Sequence, residues 1–389
     1  MVGAAGRPQA VENRARAVLS AHWREPGFTC PNADRYPWMW LWDSCFHSIV
    51  WGVLGDADRA TQELETVFIG QDPVSGFVPH MGYFGEPTVA SDFWGRPGFS
   101  SITQPPMFGH AIAELTRQGI DVPEALVDRC SKGLRFLVTR RRRSVDGLIE
   151  LVHPWESGAD DSPRWDDLAG SPYSLAGWKA VKGSLLASIE RTDSGAPIAN
   201  PAFPVASASF NALIAFNLME LASVTGDAWA TDAATQLAEA LDARWSAELR
   251  TWSDSGPTER GSGRCRTSDA QLGALVSRLP AARTAVFDDL VDPEAHGGSF
   301  GPTGVHRQEP TFDPDRYWRG PTWPQLGYLL WLAANRNGRA DVAATLAAGL
   351  VRGAVTSGFA EYWHSDTGMG GGAVPQSWTT LMLLMASDA

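Results

Sequence analysis

Glu156, Asp160 and Asp161 crowd into one run, His153-Pro154-Trp155-Glu156-Ser157-Gly158-Ala159-Asp160-Asp161-Ser162-Pro163-Arg164-Trp165. Pro154, Gly158 and Pro163 interrupt any helix or strand there, so three carboxylates, one guanidinium and two indoles share a loop. Aromatic rings pack on the apolar faces of a pyranose, and a carboxylic acid protonates a departing glycosidic oxygen. Such chemistry requires a second carboxylate facing this loop.

The elements that must hold such a loop are helical. Apolar residues recur at i, i+3, i+4 and i+7 along most of the chain, and strand alternation is scarce. The periodicity predicts about twelve helices, roughly 9–24, 42–54, 56–70, 104–118, 123–141, 207–224, 227–247, 266–278, 281–291, 321–336, 339–356 and 376–386. Links after even-numbered helices are short, such as Gly55 and Thr225-Gly226. Links after odd-numbered helices are long, about 25–41, 71–103, 142–206, 248–265, 292–320 and 357–375. In an up-and-down array this alternation gathers every long loop at one end, and six such pairs close into an (α/α)6 barrel. The even-numbered helices are apolar around most of their circumference, as an inner ring requires, whereas the odd-numbered ones carry a polar stripe. The expected fold is therefore all-α, a single (α/α)6-barrel domain over residues 1–389.

Composition limits the partners. With 32 basic and 44 acidic residues the net charge is −12, which disfavours nucleic acid and anionic membranes and favours a small neutral substrate. Residues 1–20 hold arginines but no apolar signal core, and no later run of about 18 apolar residues is read as a membrane span, so a cytoplasmic protein is expected. Cys30, Cys45, Cys130 and Cys265 are far apart and suggest neither zinc nor a disulfide framework. No cofactor and no metal is expected; homo-oligomerisation stays open.

The long loops hold the remaining candidates. Trp38–Trp42 reads as an extended approach, with Asp43 capping the helix after it. Residues 71–103 read as a candidate lid, Arg140–Arg143 as a solvated cluster at a helix end, and Pro321 as the first-turn residue of its helix. Loops after the fifth and eleventh helices face one another across a six-pair ring. Glu361 is thus the natural second carboxylate, opposite Glu156 and Asp160.

Five segments in order resemble glycoside hydrolase family 63, particularly its small bacterial members acting on glucosylglycerate and mannosylglycerate, with weaker similarity to family 37 trehalases. They are Trp40-Leu41-Trp42-Asp43-Ser44-Cys45-Phe46-His47, Thr103-Gln104-Pro105-Pro106, Glu156 to Trp165, Tyr317-Trp318-Arg319-Gly320-Pro321-Thr322-Trp323-Pro324, and Glu361-Tyr362-Trp363 with Thr367-Gly368 and Ser377-Trp378. The resemblance implies an inverting α-glycosidase for a small α-glucoside or α-mannoside, with Asp160 as general acid and Glu361 as general base, and long loops walling the barrel mouth add the expectation that it is exo-acting. The resemblance also implies sugar contacts from Asp43 and Gln104, and walls from Trp40, Tyr317, Trp318 and Trp323. Trp155 and Gln376 should lie toward the leaving group, and Tyr36, Trp42, Glu156 and Arg319 complete the expected binding set. Relatives that cleave glycerate conjugates hold the carboxylate with an arginine in the excursion after the acid motif; here residues 166–206 offer Arg191.

Other readings compete. Asp160, Asp161, Asp166 and Asp167 are calcium-type ligands, though their spacing matches no known loop. A sugar 2-epimerase on this fold would use histidines such as His153 and His364. A non-catalytic sugar binder would keep the indoles without needing opposed carboxylates, and an α-linked gluco-oligosaccharide is an alternative substrate.

Overall fold

The computed structural model describes residues 9–170 and 173–389. Residues 1–8 of the amino-terminal stretch and 171–172 of the long excursion lie outside them. The described chain is mostly helical: α1 (Gln9–His22), α2 (Leu41–Val53), α3 (Ala57–Val67), α4 (Pro87–Trp94), α5 (Phe108–Arg117), α6 (Glu124–Arg140), α7 (Asp166–Ala169), α8 (Leu175–Ala187), α9 (Ala208–Thr225), α10 (Ala228–Asp242), α11 (Pro280–Val291), α12 (Pro324–Arg336), α13 (Ala340–Thr356) and α14 (Met382–Met385). The strands are two or three residues long and form isolated two-stranded antiparallel pairs.

Contacts run in a closed order. α2 packs on α5, α5 on α9, α9 on the 3₁₀ segment Ala270–Leu275, that segment on α12, α12 on the 3₁₀ segment Ser377–Leu381, and this last segment back on α2. α3, α10 and α13 back onto α2, α9 and α12. Burial follows this order: nearly every residue of α2 and most of α9 lie inside, whereas α10 and α13 bury one stripe. α9 is long and apolar enough to span a membrane by length and composition, contrary to the sequence reading, but it lies in the core between α5 and α10.

Local chemistry explains most departures from the expected boundaries. The eighth and twelfth helices are largely 3₁₀, as Ala270–Leu275 and Ser377–Leu381. The fourth starts at Phe108 because Pro105 and Pro106 cannot continue a helix. Pro324, not Pro321, is the first-turn residue of α12, since Thr322 and Trp363 exchange backbone hydrogen bonds of 2.8 and 3.2 Å that keep the approach extended. Asp43 is not a cap: α2 starts at Leu41, after the strand Met39–Trp40, which pairs with Met81–Gly82. Two long loops carry unexpected helices. α4 starts on Pro87 and ends at Gly95 in the left-handed region; α8 starts where Ser174 accepts the Gly177 amide at 3.1 Å.

Candidate active site

Asp160 follows a turn that two indoles fasten from behind. Trp165 Nε1 donates to the Ala159 carbonyl and Trp178 Nε1, on α8, to the Asp160 carbonyl, each at 2.8 Å. Gly158 allows the backbone to lie flat on Trp42: its φ is +75°, and a Cβ there would fall 2.6 Å from the indole. Glu361 begins a short hairpin, Tyr362–Trp363 against Gly370–Gly371. Its backbone N–H donates to Ala373 O at 2.8 Å, and its carbonyl accepts Trp378 Nε1 at 3.1 Å.

Both carboxyl groups line one cavity, with Tyr36, Trp40, Trp42, Asp43, Gln104, Tyr317, Trp318 and Gln376. Four buried polar atoms in its wall have no partner among the described residues: the indole N–H groups of Trp40 and Trp318, Asp43 Oδ1 and Gln376 Oε1. A mixed set of donors and acceptors in a ring of indoles suits a polyol ring, whose hydroxyls do both. Trp318 itself sits at φ +59°, a region that costs a bulky side chain energy, and is stacked on Trp323 at 3.6 Å between ring centres.

A second lobe shares Tyr36, Trp40, Gln104 and Asp160 with the first and adds Arg35, Trp38, Phe93, Trp94 and Trp155. Asp160 is thus at the junction, and Glu361 belongs to the first lobe alone.

The two carboxyls are differentiated. Burial pushes Asp160 up to about 7; Lys182 opposes the shift, and Asp161 and Glu361 add to it. Burial also raises Glu361, but its ionised form is held by the Ala373 N–H at 2.9 Å and by the hydroxyls of Tyr36 and Tyr317 at 3.2 and 3.4 Å. No other side chain donates to the Asp160 carboxyl among the described residues. Two carboxylates lining one cavity hold a proton between them, and the unsupported one keeps it. Gly372 makes room for this support, since a Cβ there would fall 2.3 Å from Glu361 Oε2.

Three expected contacts lie elsewhere. Glu156 is walled off by a buried ion pair with Arg141 and by the amides of Thr103 and Val152, so Arg141 is no solvated charge. Arg319 donates to Asp166 at 2.9 Å and lies 3.8 Å over the Tyr173 ring. Trp323 backs Trp318 rather than lining the cavity. Gln376 lines the first lobe and Trp155 the second. Arg191 does not line either lobe; its guanidinium donates to Ser101 O and Oγ at 2.7 and 3.1 Å.

The rival readings lose their residues. Asp161 pairs with Lys182 at 2.7 Å and Asp166 with Arg319, so the aspartates form no common cage. His153 is buried, held to Lys182 O at 2.9 Å and depressed to about 4 by burial; neither it nor His364 lines a lobe. His110, Glu114 and Glu220 come within ligating distance of one another, but Arg117 and Arg336 already grip Glu220. His47 reaches Ser377 Oγ at 2.6 Å with Glu63 behind it, fully buried and without access to substrate. Trp378 and Arg35 were absent from the expected binding set. Trp378 had a signal, since it sits two residues after Gln376 in a quoted motif; nothing in the sequence singled out Arg35.

Residues 36–379 match the family described as the mannosylglycerate hydrolase MGH1-like glycoside hydrolase domain. The chain belongs to this family. It is a glycoside hydrolase, similar along nearly its whole length to characterised relatives. It is 28% identical to the mannosylglycerate hydrolase of Thermus thermophilus over 92% of this chain and 96% of that one. It is also 28% identical to the glucosylglycerate hydrolase of Mycolicibacterium hassiacum, over 90% and 91%. The crystal structure of the family 63 mannosylglycerate hydrolase from Thermus thermophilus with Tris and D-glycerate superposes with a TM-score of 0.84, at 26% identity, over 97% of this chain and all of that one. Yeast neutral trehalase shares the fold, with a TM-score of 0.58 at 14% identity.

Proposed function

We propose that this glycoside hydrolase is an inverting, exo-acting α-glycosidase for a small α-glucoside or α-mannoside, such as a glycerate conjugate or a short disaccharide, built on an (α/α)6 barrel. The closed order of helix contacts supports the barrel. The observation that carries the function is the pair of carboxyls facing one indole-walled cavity in unlike surroundings, Asp160 pushed up to about 7 and Glu361 held by three donors.

Asp160, at the junction of the lobes, gives its proton to the departing oxygen. Glu361 takes a proton from the water that attacks the anomeric carbon, and the product leaves with inverted configuration. Asp43, Gln104, Gln376 and the indole N–H of Trp40 and Trp318 hold the sugar hydroxyls. The second lobe takes the aglycone, and α4, over Trp155, is the part of 71–103 placed to cover it. The net charge of −12 fits a small substrate better than a nucleic acid.

A hydrolysis screen over glucosylglycerate, mannosylglycerate, kojibiose and trehalose, read by proton NMR, tests this. On the two glycerate conjugates, where the glycone is the only sugar released, the β-anomer appears first if the enzyme inverts. An α-anomer appearing first from either conjugate refutes inversion, and no released hexose from any of the four refutes the small-glycoside assignment.

A further inference from the structure

We infer that His47 is a positioning residue for the sugar lobe: through Ser377 its imidazole sets Gln376 and Trp378 against α2, the helix that carries Asp43. This rests on the glycosidase reading above and extends it to a group that never touches substrate.

The first lobe is assembled across the seam at which the ring of helices closes. Asp43 comes from α2, near the beginning of the chain, whereas Gln376 and Trp378 come from the segment at its end. His47 is one turn beyond Asp43 on the same face of α2, and its Nε2 lies 2.6 Å from the hydroxyl of Ser377, the residue between those two wall side chains. This is the one side-chain hydrogen bond between α2 and residues 376–386 among the described residues. The backbone of the segment is tied elsewhere. Asn32 Nδ2 donates to Pro375 O at 2.8 Å, and Pro31 O and Phe359 O accept the Ser377 and Gln376 amides at 2.9 and 2.7 Å. Trp378 meets Trp42 edge-on at 5.8 Å between ring centres, and its Nε1 holds the Glu361 carbonyl.

Behind His47, Nδ1 is 3.7 Å from Oε1 of Glu63, which accepts the Thr29 amide at 2.7 Å. His47, Glu63 and Ser377 are wholly buried, and neither His47 nor Glu63 lines a lobe. Burial depresses His47 to about 3, so the ring is neutral. A proton on Nδ1, toward the carboxyl, leaves Nε2 to accept the Ser377 hydroxyl. Polar groups are costly in a helix as apolar as α2, and a chain of them directed at one serine restricts the seam to one arrangement.

The test uses S377A, H47L, H47Q and, as a control, S48A, which removes an equally buried bond from α2 to Ala60 O. The readouts are kcat and KM on whichever small glycoside is hydrolysed, and inhibition by the released hexose. Gln376 and Trp378 grip the sugar alike before and during bond cleavage, and Glu361 keeps its own three donors. S377A therefore raises KM and the hexose Ki about 5- to 30-fold, the range of one buried hydrogen bond, and lowers kcat by less. H47L matches S377A, and H47Q, with an amide in reach of Ser377, recovers part of the loss. The double variant H47L/S377A is no worse than the more affected single one. S48A lowers Tm and leaves KM and Ki in place. Unchanged KM and Ki in folded S377A overturn the inference, as do additive losses in the double variant or an equal rise in S48A, and each of these leaves the glycosidase intact. Hydrolysis of none of the screened glycosides overturns both.

Discussion

Lys182 and Asp161 form an ion pair of 2.7 Å beside the acid, and breaking it from either side pushes Asp160 in opposite directions. With both present, their fields at Asp160 largely cancel. An isolated unit charge about 6 Å from a carboxyl is worth about 3 kcal/mol at an effective dielectric of about 20, roughly two pKa units. Asp161→Asn removes a like charge and leaves the ammonium alone, so Asp160 titrates lower. Lys182→Met removes the cation, keeps its packing under Trp155 and Trp178, and leaves the Asp161 carboxylate alone, so Asp160 titrates higher. The general acid works only while protonated, so activity is retained below its pKa and lost above it. From Asp160 at about 7, the alkaline limb of kcat/KM falls by one to two pH units in the first variant and rises by as much in the second, with the double variant near the native limb. Profiles against pH on one hydrolysed glycoside decide this, with circular dichroism confirming the fold. Shifts of the same sign in both single variants, or none, refute the assignment of that limb to Asp160.

Three further outcomes follow from the same geometry. Asp160→Asn and Glu361→Gln each lower kcat by about 10²- to 10⁴-fold with unchanged thermal unfolding; a mild effect of either sends the search for the acid or base elsewhere. Glu156→Gln acts on stability instead: it strands the buried Arg141 and costs about 3–5 kcal/mol, read as a lower Tm, while the enzyme that remains folded keeps its pH profile. If Glu156→Gln abolished turnover with Tm intact, Glu156 would be the acid. For oligosaccharides, the exo-acting reading predicts that kcat/KM falls steeply from a disaccharide to a tetrasaccharide; equal or rising efficiency with length indicates an open cleft.

The helices and the two carboxyl candidates were legible in the chain because their signals are local. Apolar periodicity marks a helix from residues three and four apart, and proline and glycine mark the loops, so α2, α9, α10, α12 and α13 appear within a few residues of their expected bounds. The alternation of long and short links then ordered those loops, and Asp160 and Glu361 do share a cavity although 201 positions separate their numbers. What tertiary structure alone decided is which charges are neutralised. Glu156 and Asp160 look alike as neighbours on one loop, but Arg141, from the end of α6, reaches only the first. Arg191 looks like an anion holder until Ser101 takes it up, while Arg35, unremarkable in the sequence, is left facing the second lobe. The fate of a charge depends on partners brought from distant positions, and its energy changes steeply over a few ångströms, which no pattern along the chain records.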